Sequence, residues 1–253
     1  MASPRVEDLY VLYGSQTGNS EGAALDFCET IQSTYTPEFF EKQKLDPIQV
    51  KTTCIQLDDF LEMNHANFTK CIVIFVSSYG VGQAPLGAYR FRDLCDDFLE
   101  NHKDEPILEG LQYALCGLGD SSYTTYLRNP TTIDKGLATV GGKRIGEMGK
   151  ANANADLGED EAQDKVIKRW VQEILTPLAK ALCDTKEVDT LAMQSKTIPL
   201  LMKLDPDYTP PAGASDNKFS TTIILSILVA LIAAIVAMFV MNGGFIELIK
   251  NLK

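Results

Sequence analysis

Residues 71–82 read Cys-Ile-Val-Ile-Phe-Val-Ser-Ser-Tyr-Gly-Val-Gly. The first six are apolar without interruption, the pattern of a strand covered on both faces rather than half-exposed to water. The run then stops at two serines, a tyrosine and two glycines, which puts small side chains, one ring and closely approachable backbone at the strand's carboxyl end. Strands of this kind belong to parallel sheets, whose neighbours are joined by crossover helices. The flanking sequence supplies both. Residues 9–13, 50–57, 111–116 and 143–148 read as further strands. Residues 20–33, 86–100, 131–140 and 161–183 read as helices, and Phe91, Leu94, Cys95 and Phe98 recur at i, i+3, i+4, i+7. Pro177 is expected to end or kink the last of these. Five strands separated by helices predict an α/β domain over residues 1–183, a doubly wound five-stranded parallel sheet. In such sheets ligands sit beyond the carboxyl ends of the strands, at a switch point.

Three strand ends deserve comparison on that basis. Gly14-Ser15-Gln16-Thr17-Gly18-Asn19-Ser20-Glu21 follows the first strand and opens a helix. Backbone N–H groups, hydroxyls and the helix dipole there suit an anion. No Gly-Lys-Ser/Thr follows, so nothing would reach a γ-phosphate, and G-x-G-x-x-G is absent as well. A cradle of uncharged donors suits one terminal phosphate monoester; an ordinary N-capped turn is the competing reading. The third strand ends in the Ser77–Gly82 segment quoted above. The fourth is followed by Gly117-Leu118-Gly119-Asp120-Ser121-Ser122-Tyr123-Thr124-Thr125-Tyr126. Tyr79 and Tyr123 are thereby placed to flank one planar ligand, each offering a π face, against the alternative that loop tyrosines only pack.

Taken together, in this order and spacing, the three segments resemble the FMN-binding loops of the flavodoxin family. The likeness extends over residues 8–182, most closely to the FMN domain of diflavin reductases of the NADPH–cytochrome P450 reductase type. It implies a flavodoxin-like sheet of order 2-1-3-4-5 and FMN as cofactor. Ser15, Gln16, Thr17, Gly18, Asn19 and Ser20 would hold the phosphate. Ser78, Tyr79, Gly80 and Gly82 would lie on one side of the isoalloxazine. Gly117, Leu118, Gly119, Asp120, Tyr123 and Tyr126 would form the other side and the edge. Two positions depart from the diflavin pattern: Gln83 replaces an acidic residue, and Asn152-Ala153-Asn154-Ala155-Asp156 replaces an acidic cluster, leaving Asp156 as the expected flavin-side carboxylate. The resemblance further implies one-electron relay chemistry at the flavin, with no catalytic side chain besides.

Charge sets the expected partners. The chain carries 23 Lys+Arg and 34 Asp+Glu, net −11. Residues 218–253 contain only Lys218, Glu247, Lys250 and Lys253, so residues 1–217 hold 20 basic and 33 acidic side chains, net −13. Nucleic-acid phosphates would repel such a surface, so no nucleic-acid partner is expected; a basic protein surface is the natural acceptor. Asp93, Asp96, Asp97 and Glu100, and Glu159, Asp160, Glu161 and Asp164, are candidate docking faces, unless they are merely solvated helix faces. The six cysteines show no C-x-x-C pair and the histidines are only His65 and His102. Zinc sites, other metal centres and His-dependent triads are therefore not expected, and a reducing compartment is.

Between Lys218 and Glu247 there is no charge, and residues 222–241 are almost purely apolar. Twenty helical residues span about 30 Å, the thickness of a bilayer's hydrocarbon. One C-terminal transmembrane helix is expected at residues 219–242, a tail anchor with a short tail at 243–253. It holds the domain on the cytosolic side, at the endoplasmic reticulum in preference to the outer mitochondrial membrane. Residues 184–218, with five Pro or Gly positions and no sustained periodicity, are expected to be a flexible linker, with docking of the Ile198–Leu204 run on the domain as the alternative. The function expected is a membrane-anchored FMN one-electron carrier. A separate NAD(P)H/FAD reductase would be its donor and a membrane-associated haem or desaturase-type protein its acceptor. An FMN-dependent NAD(P)H:quinone or flavin reductase, and a non-catalytic membrane scaffold, are the alternatives.

Overall fold

Strand β3 (Cys71–Ser77) accounts for its own unbroken apolarity. Ile72, Ile74 and Val76 enter one core, and Cys71, Val73 and Phe75 enter the other, on the opposite side of the sheet. The computed structural model, which describes residues 4–63, 69–154, 156 and 158–210, places β3 at the centre. Around it run β1 (Arg5–Gly14), β2 (Ile48–Gln56), β4 (Gln112–Gly119), β5 (Lys143–Arg144) and β6 (Gly149–Asn152). The order is β2-β1-β3-β4-β5, with β6 also pairing β4, and every pair is parallel. The flavodoxin-like order 2-1-3-4-5 is thus observed.

Helices α1 (Asn19–Thr34), α2 (Pro37–Lys42) and α6 (Gln163–Cys183) bury residues such as Phe27, Phe40 and Trp170 on one face. Helices α3 (Leu57–Met63), α4 (Tyr89–Asn101), α5 (Arg128–Thr139) and α7 (Thr190–Leu204) cover the other, with Phe60, Phe91, Ile133 and Leu201. Because β1 leads to β2 on one side and the chain then crosses to β3 on the other, the switch point lies beyond the ends of β1 and β3.

Four expectations need correction. The fifth strand over 143–148 is two pieces, since Gly146 at φ 67° turns the chain between β5 and β6. Helix α6 runs past Pro177 to Cys183, held by buried Ile174, Leu175, Leu178, Ala179 and Leu182. The flexible linker expected over 184–218 is, over Thr190–Leu204, a helix whose Met193, Thr197 and Leu201 are buried. Tyr208 is buried beyond it and donates to the Leu61 carbonyl at 3.3 Å, while Arg90 pairs with Asp205 at 2.9 Å. Lastly, Asp97 does not belong to an exposed acidic face. It is buried, accepts from Asn101 at 2.7 Å, and lies 3.2 Å from His102 and 3.5 Å from Lys203. The expected membrane helix at 219–242 lies outside the described residues; among the described residues no helix is long and apolar enough to cross a membrane.

The start of α4 is held from a distance. Asp58 accepts from the Tyr89 N–H at 2.9 Å and the Phe91 N–H at 3.0 Å, satisfying two of the helix's unpaired donors. Burial nonetheless pushes its carboxyl above the usual range, outweighing the pull of those donors. The folded state therefore binds this proton more tightly than the unfolded chain does, and the contribution of Asp58 to stability grows as pH falls through the carboxylate range. Asp58→Ala is expected to cost about 1–2 kcal/mol at neutral pH. Its deficit should be larger at pH 4.5, as read by urea unfolding at both values.

Candidate FMN site

Three loops meet beyond the carboxyl ends of β1, β3 and β4, and each is fixed by hydrogen bonds that its sequence supplies. In the first, the Ser15 hydroxyl accepts from the Gly18 N–H at 3.0 Å and the Ser20 N–H at 3.3 Å, curling the backbone over the first turn of α1. Gly18 sits at φ 90°, a conformation that Gly adopts without a Cβ penalty. The Ser15 N–H donates to the Leu86 carbonyl at 3.1 Å and Gln16 Oε1 accepts from the Leu86 N–H at 3.4 Å, which ties this loop to the segment before α4.

The second loop is a tight turn. The Tyr79 N–H donates to the Gln83 carbonyl at 3.0 Å, and the Tyr79 carbonyl accepts from Gly82 at 3.0 Å and Gln83 at 2.8 Å. Gly80 (φ 51°) and Gly82 (φ 89°) make the reversal, and a Cβ on Gly82 would stand 2.5 Å from Arg128 Cδ. Gln83, placed by the sequence where an acidic residue is usual, thus closes the turn through its backbone.

The third loop is braced from behind. The Gly119 carbonyl accepts from Ala153 N–H at 2.8 Å, and Asn152 Oδ1 accepts from the Ser121 N–H at 3.0 Å. Asp120 accepts from the Ser122 N–H at 2.8 Å, which holds its carboxyl below the ordinary range. Thr125 Oγ1 donates to the Gly80 carbonyl at 3.3 Å, linking the third loop to the second.

Between the loops is a cleft of about 410 Å³, within the range of small-molecule sites. Of the sequence-predicted residues, Ser15, Gln16, Thr17, Asn19, Ser20, Ser78, Tyr79, Gly80, Leu118, Gly119, Asp120, Tyr123 and Tyr126 line it. Gly18, Gly82 and Gly117 do not. They shape the loops from outside the cleft, Gly117 under the Pro130 and Leu127 side chains. Asp156 is a correction. It is exposed and does not line the cleft; its N–H donates to Asn154 Oδ1 at 2.8 Å, and Asn154 Nδ2 in turn donates to Ser121 Oγ at 3.0 Å. Sequence reasoning missed Ser77, Thr125, Ala153 and Gln163. Ser77 and Thr125 stood inside the quoted segments. Gln163 had no local signal: it reaches from the start of α6, its Nε2 donating to the Ala151 carbonyl at 3.1 Å.

One atom tests the fit to a phosphate ester. Ser20 is fully buried, lines the cleft, and its Oγ has no hydrogen-bond partner among the described residues. A buried hydroxyl without a partner is costly, and an anion at the start of α1 would satisfy it. At the other end, Tyr79 and Tyr123 leave about half and two-thirds of their surfaces exposed (48% and 65%), unlike packed aromatics. Among the described residues no cluster of His, Cys, Asp or Glu could hold a metal ion; His102 lies 3.2 Å from Glu105 and does not line the cleft.

The family model for flavodoxin matches residues 11–165. Methionine synthase reductase of Caenorhabditis elegans is 30% identical over 173 residues, 68% of this chain and 22% of that protein. The sulfite reductase [NADPH] flavoprotein alpha-component of Bacillus subtilis is 31% identical over 175 residues, 69% and 24% respectively. NADPH–cytochrome P450 reductase of Saccharomyces cerevisiae is 28% identical over 172 residues, 68% and 22%. The chain spans less than a quarter of the length of these relatives. Among solved structures, oxidised flavodoxin 1 of Bacillus cereus aligns with 68% of this chain and 97% of its own at 17% identity, with a TM-score of 0.47. FMN is the cofactor of this family, and the partnerless hydroxyl at the anion loop together with the tyrosine-flanked cleft fits it. The chain belongs to the flavodoxin family, and its domain is similar to the FMN domains of diflavin reductases.

Proposed function

We propose that this protein is a membrane-anchored FMN electron carrier. The observation that carries the reading is the pairing, in one cleft, of the Ser15–Ser20 cradle and its partnerless buried hydroxyl with the exposed Tyr79 and Tyr123 rings. Ser15, Gln16, Thr17, Gly18, Asn19 and Ser20 bind the FMN phosphate through hydroxyls, backbone N–H groups and the dipole of α1. Tyr79 and Tyr123 would hold the flavin ring between the loops, with Gly80, Gly119 and Tyr126 lining the same cleft. Bound FMN supplies one-electron chemistry, which side chains lack.

Electrons arrive from an NAD(P)H/FAD reductase and leave to a basic, membrane-associated redox protein. The net charge of −13 over residues 1–217 supports steering of such a partner. Asp93 and Glu100 are exposed on α4, as are Glu159, Asp160, Glu161 and Asp164 around the start of α6. The uncharged stretch from 219 to 242 supports a bilayer-spanning segment. The six free thiols support a cytosolic position for the domain, and the membrane we propose is the endoplasmic reticulum in preference to the outer mitochondrial membrane.

Stepwise reduction of the FMN-loaded full chain in detergent is expected to show two resolved one-electron steps in visible absorbance, with NADPH alone leaving it oxidised. Direct reduction by NADPH would overturn the carrier reading in favour of a quinone or flavin reductase. Association with a basic haem protein is expected to slow by tenfold or more between low and physiological ionic strength. A rate indifferent to salt would remove the docking model.

A further inference from the structure

Strand β2 is an edge of the sheet, and its Ile48, Val50 and Cys54 pack in the same core as α1. One contact sets the alignment of the two elements: Gln32 Nε2 donates to Thr52 Oγ1 at 3.3 Å. Gln32 is one helical turn beyond Cys28, and Thr52 is two residues from Cys54 on the same face of its strand. That alignment sets Cys28 and Cys54 on the facing surfaces of α1 and β2, inside one core. Both are free thiols; Cys28 is 8% exposed and Cys54 is half-buried at the sheet's edge.

We propose that Cys28 and Cys54 form a peroxide-responsive dithiol site that closes into a disulfide between α1 and β2. The neighbouring Cys54 thiol holds the Cys28 thiol below its usual range, and Cys28 together with burial pushes Cys54 up. Cys28 is therefore the nucleophile and Cys54 the resolving thiol. The Cys28 thiolate attacks one oxygen of hydrogen peroxide, the O–O bond breaks, and with one proton taken up a sulfenic acid and water form. The Cys54 sulfur then displaces that hydroxyl; its own proton leaves with it as a second water, and the S–S bond closes. Two thiols are oxidised and one peroxide is reduced. Closure needs Cβ atoms within about 4.5 Å, and an edge strand bonded on one side only has the freedom to reach it. The remaining thiols are poor competitors: burial pushes Cys71 and Cys116 up to about 12, and raises Cys95 and Cys183 as well.

The test is thiol mapping of the folded full chain before and after a stoichiometric pulse of hydrogen peroxide. Trypsin releases peptides 6–42 and 52–70, each with one cysteine. They are expected to appear joined, two hydrogens lighter than their sum, and to separate with dithiothreitol. Cys54→Ser is expected to strand Cys28 as a sulfenic acid that dimedone traps. In Cys28→Ser, Cys54 should react at least about tenfold more slowly. Alkylatable Cys28 and Cys54 after the pulse, a bond joining other cysteines or other chains, or direct sulfinate formation would overturn the proposal. The wild-type map alone decides this if either variant fails to fold.

Discussion

Replacing Thr17 by Asp is expected to weaken FMN binding roughly a hundredfold while leaving the protein folded. Thr17 is exposed in the Ser15–Ser20 loop and lines the cleft at the start of α1. A carboxylate there suits the helix dipole, so the fold is not penalised. Against a phosphate of charge −1.5 to −2 about 6 Å away, the repulsion is about 4–5 kcal/mol at an effective dielectric near 20. Water access at an exposed loop reduces this to about 2–3 kcal/mol, about two powers of ten in Kd. Three comparisons isolate the cause. Thr17→Ala, which removes only a hydroxyl, is expected to lose tenfold or less. Riboflavin, which lacks the phosphate, should bind both Thr17→Asp and wild type equally. Added salt should narrow the FMN difference. Flavin fluorescence quenching reads all three, and unchanged FMN affinity in Thr17→Asp would place the phosphate elsewhere.

Phe75→Ala is expected to be the most damaging core truncation, costing about 3–5 kcal/mol. Phe75 is fully buried on β3, with Phe27 of α1 at 5.6 Å and Trp170 of α6 in an edge-on contact at 5.5 Å and 86°. It therefore joins the central strand to α1 and α6. Against a total stability of about 5–15 kcal/mol, the loss should lower Tm by about 10–15 °C in a domain of this size. Trp170 is the only tryptophan and a direct neighbour, so its fluorescence reports the unfolding. A loss under about 1.5 kcal/mol would mean that the core collapses around the gap.

How far sequence reached can be judged from particular residues. The 71–76 run signalled a doubly covered strand because both of its faces are apolar, and the alternate burial into two cores is the cause. The three loops were legible because strand ends concentrate glycines, hydroxyls and rings. The break of the 143–148 strand into β5 and β6 was not, since two paired residues carry no alternation. Helix α7 escaped for a different reason: Met193, Thr197 and Leu201 form its buried stripe, but the central member is polar. Thr197 becomes apolar in effect only by donating to the Met193 carbonyl at 2.8 Å. Pro199 inside the helix further disguised the period. Asp156 was misjudged because proximity along the chain says nothing of the asparagine turns that swing it outward, and Gln163 because a helix's first residue gives no hint of which carbonyls it will meet.

The docking of α7 also dictates where this domain can be cut. Ending the polypeptide after Cys183 would strip Met193, Leu201 and Tyr208 from the α4 face and bare the apolar surface beneath them. It would also deprive buried Asp97 of its lysine neighbour. Such a fragment would invite self-association through an uncovered greasy seam, whereas one carried through Thr209 keeps that seam sealed.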